Sequence, residues 1–240
     1  VSASLEIIYL HHSGFAVTTG QHLLIFDYYQ DMAKSLSGRI MEGKQVWVFS
    51  SHRHADHFNS MIADWQSAVA AYFLSDDILA AGGLPAVKAD KIVYMKPYET
   101  SKQESLRVTT YGSTDEGVSF LVEINGWRLF HAGDLNWWHW KGDTPENQQL
   151  AKDGFMREME LLTGVELDVA FFPVDSRLEE FRAIGAEEFC RRANVRQLVA
   201  MHTCGQSWKP SEKFPGNSKN VSVWCPTVSG ERLSLSSKVK

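Results

Sequence analysis

Val46-Trp47-Val48-Phe49 is an apolar run without polar alternation, and it stops abruptly at Ser51-His52-Arg53-His54-Ala55-Asp56-His57. A strand with one face in water alternates apolar and polar residues, so a run lacking that alternation predicts a strand buried on both faces. Such a strand needs a layered fold, with packed material on either side of its sheet. The polar cluster then falls where the chain leaves the core. Three imidazoles and a carboxylate so close together can converge only if the exit loop curls. Imidazole with carboxylate suits zinc, manganese or iron and requires no thiolate. His52, His54, Asp56 and His57 are therefore candidate metal ligands.

The remaining pattern supplies the layers. Short apolar runs at 5–9, 15–18, 23–26, 69–74 and 91–95 read as strands, with a short helix around 78–81. Segments 119–124 and 127–130 flank Asn125-Gly126, the dipeptide that best fits a type I′ hairpin turn. A helix is predicted over 145–162, with Thr144 as its cap, Pro145 in its first turn and Gly164 just past its end. A strand at 169–172, a helix at 186–193 and a strand at 197–201 follow. Strands at 221–224 and 232–235 are expected to finish the second sheet. Two sheets flanked by helices fit this order better than an all-β barrel. No linker or low-complexity tract divides the chain, so residues 1–240 are read as a single domain.

Composition narrows the partners. The formal net charge of −5 disfavours an anionic membrane surface or a nucleic-acid backbone, since little is gained from counterion release. Cys190, Cys204 and Cys225 are odd in number and widely spaced, which is no disulfide framework and fits a reducing compartment. No apolar run reaches the length of a membrane span, roughly 20 residues. Val1-Ser2-Ala3-Ser4-Leu5-Glu6 has no basic segment followed by an apolar one, so no signal peptide is read and a cytoplasmic location is expected.

The His-x-His-x-Asp-His pattern after a buried strand resembles the signature of the metallo-β-lactamase fold superfamily. Asp27 at an early strand end, Gly133-Asp134 after Phe130-His131-Ala132, and His202 after Ala200-Met201 match further motifs in the same chain order. The likeness spans residues 5–202. His12-Ser13-Gly14-Phe15 brings it nearest the branch that contains the ascorbate-phosphate lactonase. The resemblance implies a four-layer αβ/βα sandwich of the α/β (α+β) class, with one or two divalent ions, zinc foremost, at one edge between the sheets. His52 and His54 would hold one ion, and Asp56, His57 and His202 the other. Asp134 would bridge them, Asp56 and Asp134 serving the chemistry, with a shared hydroxide as nucleophile.

One position departs from the family pattern. A third histidine for the first ion is usual before the central hairpin strand, and here the stretch reads Tyr111-Gly112-Ser113-Thr114-Asp115-Glu116-Gly117. Thr114 occupies the position in one register. The register could slip by one; Asp115 could substitute as an oxygen ligand, equally the first site could be weak or empty, and plain turn residues are an even alternative to any ligand role. His131 is expected to point away from Asp134 by strand alternation. His11 or His12 could approach the ions, as could Asp175, for which a helix cap is the equal alternative. The Trp137, Trp138, His139 and Trp140 cluster reads as core or as a pocket wall. Cys204 has no context that marks a nucleophile, and His22 and His139 read as structural.

The leading expectation is hydrolysis of an ester-like bond in a small molecule. A nuclease is the first alternative, disfavoured by the acidic balance and the lack of a basic arm. An iron-dependent redox protein is the second, and a metal-stabilised binding protein the third. An open site with a bridging Asp134 argues against the last, because structural zinc is usually closed by four protein ligands.

Overall fold

The computed structural model describes residues 4–236. Residues 1–3, on which part of the signal-peptide reading rests, lie outside that range. The first sheet is built from β1 (Leu5–His11), β2 (Gly14–Thr19), β3 (His22–Phe26), β4 (Gln45–Ser50), β5 (Val69–Ser75) and β6 (Ile92–Met95). The second contains β7 (Thr100–Lys102), β8 (Leu106–Tyr111), β9 (Ser119–Ile124), β10 (Trp127–His131), β11 (Glu166–Pro173), β12 (Asn194–Met201) and β13 (Ser222–Trp224). The last strand, β14 (Arg232–Leu235), returns to the first sheet. Among the described residues, three α-helices, α1 (Asp76–Ala80), α2 (Pro145–Leu162) and α3 (Ile184–Arg192), complete the regular elements with short 3-10 turns.

The two seven-stranded sheets run β14-β1-β2-β3-β4-β5-β6 and β13-β12-β11-β10-β9-β8-β7. Each is half meander and half crossover. Pairing is antiparallel from β14 to β3 and from β7 to β10, and parallel from β3 to β6 and from β10 to β13. Parallel strands start and end together, so the parallel halves present a row of carboxyl ends along one edge.

Burial follows the layers. In β4, Trp47 and Phe49 face the core shared with the second sheet, while Val46 and Val48 face a second cluster on the opposite side, as the unalternating run predicts. That outer cluster is covered by Ile62 and Ala63 of a 3-10 turn and by Ile78 of α1. The outer face of the second sheet is covered by α2 and α3, where Phe189 stacks on Phe172 with ring centroids 4.5 Å apart. The order is thus helix, sheet, sheet, helix. No helix among the described residues is long and apolar enough to cross a membrane.

Two expectations need correction. β14 does not finish the second sheet; it pairs antiparallel with β1, Leu233 opposite Ile7 and Leu235 opposite Leu5. Without it, β1 would present an unpaired edge carrying the buried Ile7 and Ile8, and an apolar edge of that kind is a site for unwanted pairing. β8 was not anticipated, although Leu106, Val108 and Thr110 are buried while Arg107 is exposed, the plain period-two signature of a half-buried strand. Elsewhere the helix over Pro145–Leu162 begins as expected, with the Thr144 hydroxyl accepting the Asn147 N–H at 3.2 Å.

Candidate metal centre

The row of strand ends delivers the polar side chains. Asp27 follows β3, Ser51 and His52 follow β4, Asp134 lies three residues past β10, Asp175 two past β11, and His202 directly follows β12. Among the described residues, three sets have ligand atoms all within 4.8 Å of one another: His12, Asp56, His57 and His202; His52, His54, Asp115 and Asp134; and Asp175, His202 and Cys204. Every ligand-type residue of the His-x-His-x-Asp-His motif belongs to one of the first two. Asp134 stands between them, its Oδ1 being 3.2 Å from His57 Nε2 and 3.6 Å from His202 Nε2, its Oδ2 3.8 Å from His52 Nε2.

The histidines are aimed by hydrogen bonds on their far sides. His57 Nδ1 is 2.7 Å from Asp27 Oδ2, and His202 Nδ1 is 2.9 Å from Asp175 Oδ2. The Ser51 hydroxyl donates to Asp27 Oδ2 at 2.7 Å and is left to accept from His52 Nδ1 at 3.0 Å. With Nδ1 donating in all three rings, Nε2 is the atom each ring turns towards Asp134, and it offers a lone pair wherever the ring is neutral. Nε2 of His52 and of His57, and Oδ1 of Asp134, are buried without any hydrogen-bond partner. Buried unpaired polar atoms are costly, and several converging on one point form a cradle for a cation. Imidazole fixed by a carboxylate on its other nitrogen is the arrangement that orients metal-ligating histidines. The residues present therefore fit a divalent metal.

Electrostatics agree with tight charge placement. Burial would raise the Asp27 carboxyl, but the neighbouring His131, His57 and His52 hold it down at about 2. Burial opposes the charge of His57, and the carboxylates of Asp134 and Asp27 outweigh it, pushing the imidazole up to about 9. The His12 imidazole beside Asp56 holds that carboxyl below the usual range. Burial likewise pulls the other way on Asp175, which His202 and Arg177 keep well below the usual carboxylate range.

Backbone strain concentrates at the same edge. His12, Asp27 and His202 have φ of 56°, 41° and 56°. Non-glycine residues in this region cost of order 1–3 kcal/mol each and persist where the surroundings dictate them. Gly117, φ 73°, packs where a Cβ would run into the Ser51 carbonyl.

The Thr114 register is overturned. Its hydroxyl donates to the Asn136 carbonyl at 2.6 Å and accepts the Asn136 N–H at 2.9 Å, so it clamps the loop after Asp134 and faces no imidazole. Asp115 instead lies 3.5 Å from His54, in the set with His52 and Asp134. His131 points away as expected, donating from Nε2 to the Ser13 carbonyl at 2.9 Å. His12 reaches the site and His11 does not belong to any of the sets. Asp175 performs both of its alternatives, holding His202 and accepting the Arg177 N–H at 2.8 Å as a helix cap. Trp137 packs towards the core on Phe155, whereas Trp138 and Trp140 lie parallel, 7° apart, with Trp138 against His202. Cys204 is exposed as a residue, but its Sγ lies 3.6 Å from Asp175 Oδ1, and partial desolvation there with the Asp175 charge raises the thiol, which does not favour the thiolate. His22 accepts from Trp47 Nε1 at 3.4 Å, and His139 packs on Phe181.

Ser51 and Glu116 were not singled out from sequence. Ser51 relays Asp27 to His52, and Glu116 grips Arg53 through two hydrogen bonds of 2.7 and 2.6 Å. The available signal for Ser51 was its place beside His52 at the carboxyl end of an apolar strand.

No family model matches the chain. Its structure is similar to that of a metallo hydrolase from the archaeon Ignicoccus hospitalis, with a TM-score of 0.66 at 15% identity over 98% of this chain and 100% of that one. It is similar to the metallo-β-lactamase fold protein YhfI from Bacillus subtilis, with a TM-score of 0.65 at 12% identity over 97% and 99%. A diiron β-hydroxylase from Streptomyces venezuelae gives a TM-score of 0.62 at 11% identity, covering 98% of this chain and 54% of that protein. The chain has the metallo-β-lactamase fold.

Proposed function

We propose that the protein is a metal-dependent hydrolase acting on an ester-like bond, a lactone or phosphoester, in a small molecule. The observation that carries this reading is the set of buried Nε2 atoms facing Asp134, each ring fixed from behind by Asp27, Asp175 or Ser51. In this reading His52, His54 and Asp115 hold one ion and Asp56, His57 and His202 the other, with Asp134 shared. Zinc, manganese and iron all accept such donors. A bound divalent ion supplies Lewis acidity and brings the pKa of water towards about 7.

The chain's own residues shape what can enter. Trp138 and Trp140 give a flat apolar wall beside His202, suited to the carbon skeleton of a small substrate. The nearby arginines are already neutralised, Arg53 by Glu116 and Arg177 by Asp175. That leaves them poorly placed to follow a phosphodiester backbone and favours a small molecule over RNA or DNA. His12-Ser13-Gly14-Phe15 supports a lactone among the candidates through its resemblance to the lactonase branch. Metal analysis with turnover on a panel of lactones and phosphoesters tests the reading. Chelator-sensitive hydrolysis of either class is expected. Protein that takes up no divalent ion, or turnover indifferent to chelation, would overturn it.

A second reading has one observation behind it. Asp115 in place of an imidazole makes the first set two histidines and two carboxylates, a donor set at home with iron and oxygen chemistry. Oxygen uptake by iron-loaded protein, set against hydrolysis by zinc-loaded protein, separates the two.

A further inference from the structure

We propose that His12 is a fifth protein ligand of the second ion, closing that site with protein and leaving the first as the open one; this rests on the metal-dependent reading above. Donors around one zinc-sized ion sit about 2.0–2.2 Å from it, hence roughly 3–4.4 Å from one another. His12 Nε2 is 3.3 Å from Asp56 Oδ2 and belongs to the set with His57 and His202. It is buried and lacks an aligned hydrogen-bond partner, as do the Nε2 atoms of His52 and His57.

The placement of this ring is enforced. The His12 N–H donates to the Tyr9 hydroxyl at 2.8 Å, and its carbonyl accepts the His202 N–H at 3.2 Å. The two imidazoles then pack with centroids 3.9 Å apart. His12 comes from the β1–β2 turn of the first sheet and His202 from the end of β12 in the second, so both sheets contribute a ring to one point. A merely structural His12 would leave its Nε2 only the 3.3 Å contact with the Asp56 carboxylate, and it would still carry the cost of its positive φ.

The ligand count then differs between the sites. The second ion has His12, Asp56, His57, His202 and Asp134. The first has His52, His54, Asp115 and Asp134, and the His54 and Asp115 side chains are each 43% exposed. A site filled by protein suits tight retention, and a site with solvent-facing ligands suits exchange of water for substrate.

The test is competition between metal-free protein and a chromophoric chelator for Zn2+. The wild type is expected to take two ions of unequal affinity. His12→Asn tolerates the left-handed backbone and is too short to reach the ion. It is expected to weaken the tighter ion at least tenfold and leave the weaker one in place, with an unchanged melting temperature for the metal-free protein. An unchanged tight affinity overturns the assignment. X-ray absorption on wild type carrying one zinc per chain provides a reading that needs no variant: three imidazoles support His12, and two refute it. Wild type that binds no zinc would instead defeat the metal-dependent reading itself, and His12 with it.

Discussion

The Asp27 carboxylate at the end of β3 lies 2.7 Å from Nδ1 of His57 in the loop after β4, and both residues are fully buried. The same carboxylate accepts the Ser51 N–H and the Ser51 hydroxyl, each at 2.7 Å, and through that hydroxyl it reaches His52. One carboxylate thus orients a ring in each proposed metal site. Asp27→Asn keeps the shape and tolerates the φ of 41°. It also places an amide N–H where the network needs an acceptor. Loss of such an orienting partner typically costs about 10–100-fold in metal affinity, and that range is expected here for both ions. Metal titration of the variant checks it, and a loss confined to one ion would show that the Ser51 relay does not orient His52.

Asp115 and Thr114 should respond in opposite ways. Asp115→Ala removes an oxygen ligand and is expected to lower zinc content from two per chain towards one, with little change in the melting temperature of the metal-free protein. Thr114→Ala leaves the ligands intact but deletes two hydrogen bonds to the Asn136 backbone. Net losses of about 0.5–1.5 kcal/mol per hydrogen bond are typical, so destabilisation of about 1–3 kcal/mol is expected. Thr114→Ser should recover most of it. Asp134→Asn should reduce turnover more than either, since the amide cannot carry the charge facing both sites. If Thr114→Ala lost metal while Asp115→Ala kept two ions, the ligand assignment of this loop would be wrong.

The local patterns that predicted the site were those with a strong one-dimensional signature. The β4 run and its histidine-rich exit are contiguous, so strand and cluster could be read together. The Asn125-Gly126 turn, with φ of 50° and 80° at its two residues, was equally local. Legibility failed where the answer lay in pairing across the chain. Nothing in Arg232-Leu233-Ser234-Leu235 says that its partner is β1, some two hundred residues away, and the gain that decides it is the covered edge of the first sheet. Thr114 against Asp115 is a one-residue register, which a turn pattern does not fix. His12 is placed by the nearby Tyr9 hydroxyl and by a backbone bond from His202, and the second of these exists only once both sheets are assembled.

His131 predicts an acid limb of stability. Its Nε2 donates to the Ser13 carbonyl and its Nδ1 accepts the Gly133 N–H at 3.2 Å, so the hydrogen bonds specify the neutral ring. Burial lowers its pKa, against the pull of Asp27. Above the unfolded value, about 6.5, both states are neutral and the group is silent. Below it the unfolded chain binds a proton that the folded one refuses, so stability falls as pH drops, by at most about 1.4 kcal/mol per pH unit, until the folded pKa is reached. His131→Phe keeps the stacking on Phe26 and removes this linkage. Denaturant unfolding of chelator-treated protein at pH 7.5 and 5 should show a smaller loss in the variant than in the wild type. Equal losses would mean that His131 is not held neutral.

Gly117 offers a test of how the first ligand is placed. Its φ of 73° is costly for any residue with a Cβ, and a Cβ there would collide with the Ser51 carbonyl and lie 2.6 Å from the His52 Cβ. That carbonyl accepts the Val118 N–H at 2.9 Å, which joins the exit of β4 to the entry of β9. Backbone on both sides leaves no flexible side chain to give way. Gly117→Ala should therefore push Ser51 and His52 away from Asp134 while the strands behind them stay paired. His202 is held from the second sheet by Asp175, and His57 keeps its own direct bond to Asp27. The expected outcome is selective loss of the first ion, at least tenfold in affinity, with the second retained and a folded protein by circular dichroism. Matching zinc titrations of Gly117→Ala and wild type decide the matter. Unchanged affinity for both ions would show that the loop relaxes around the added methyl and that His52 does not depend on this contact.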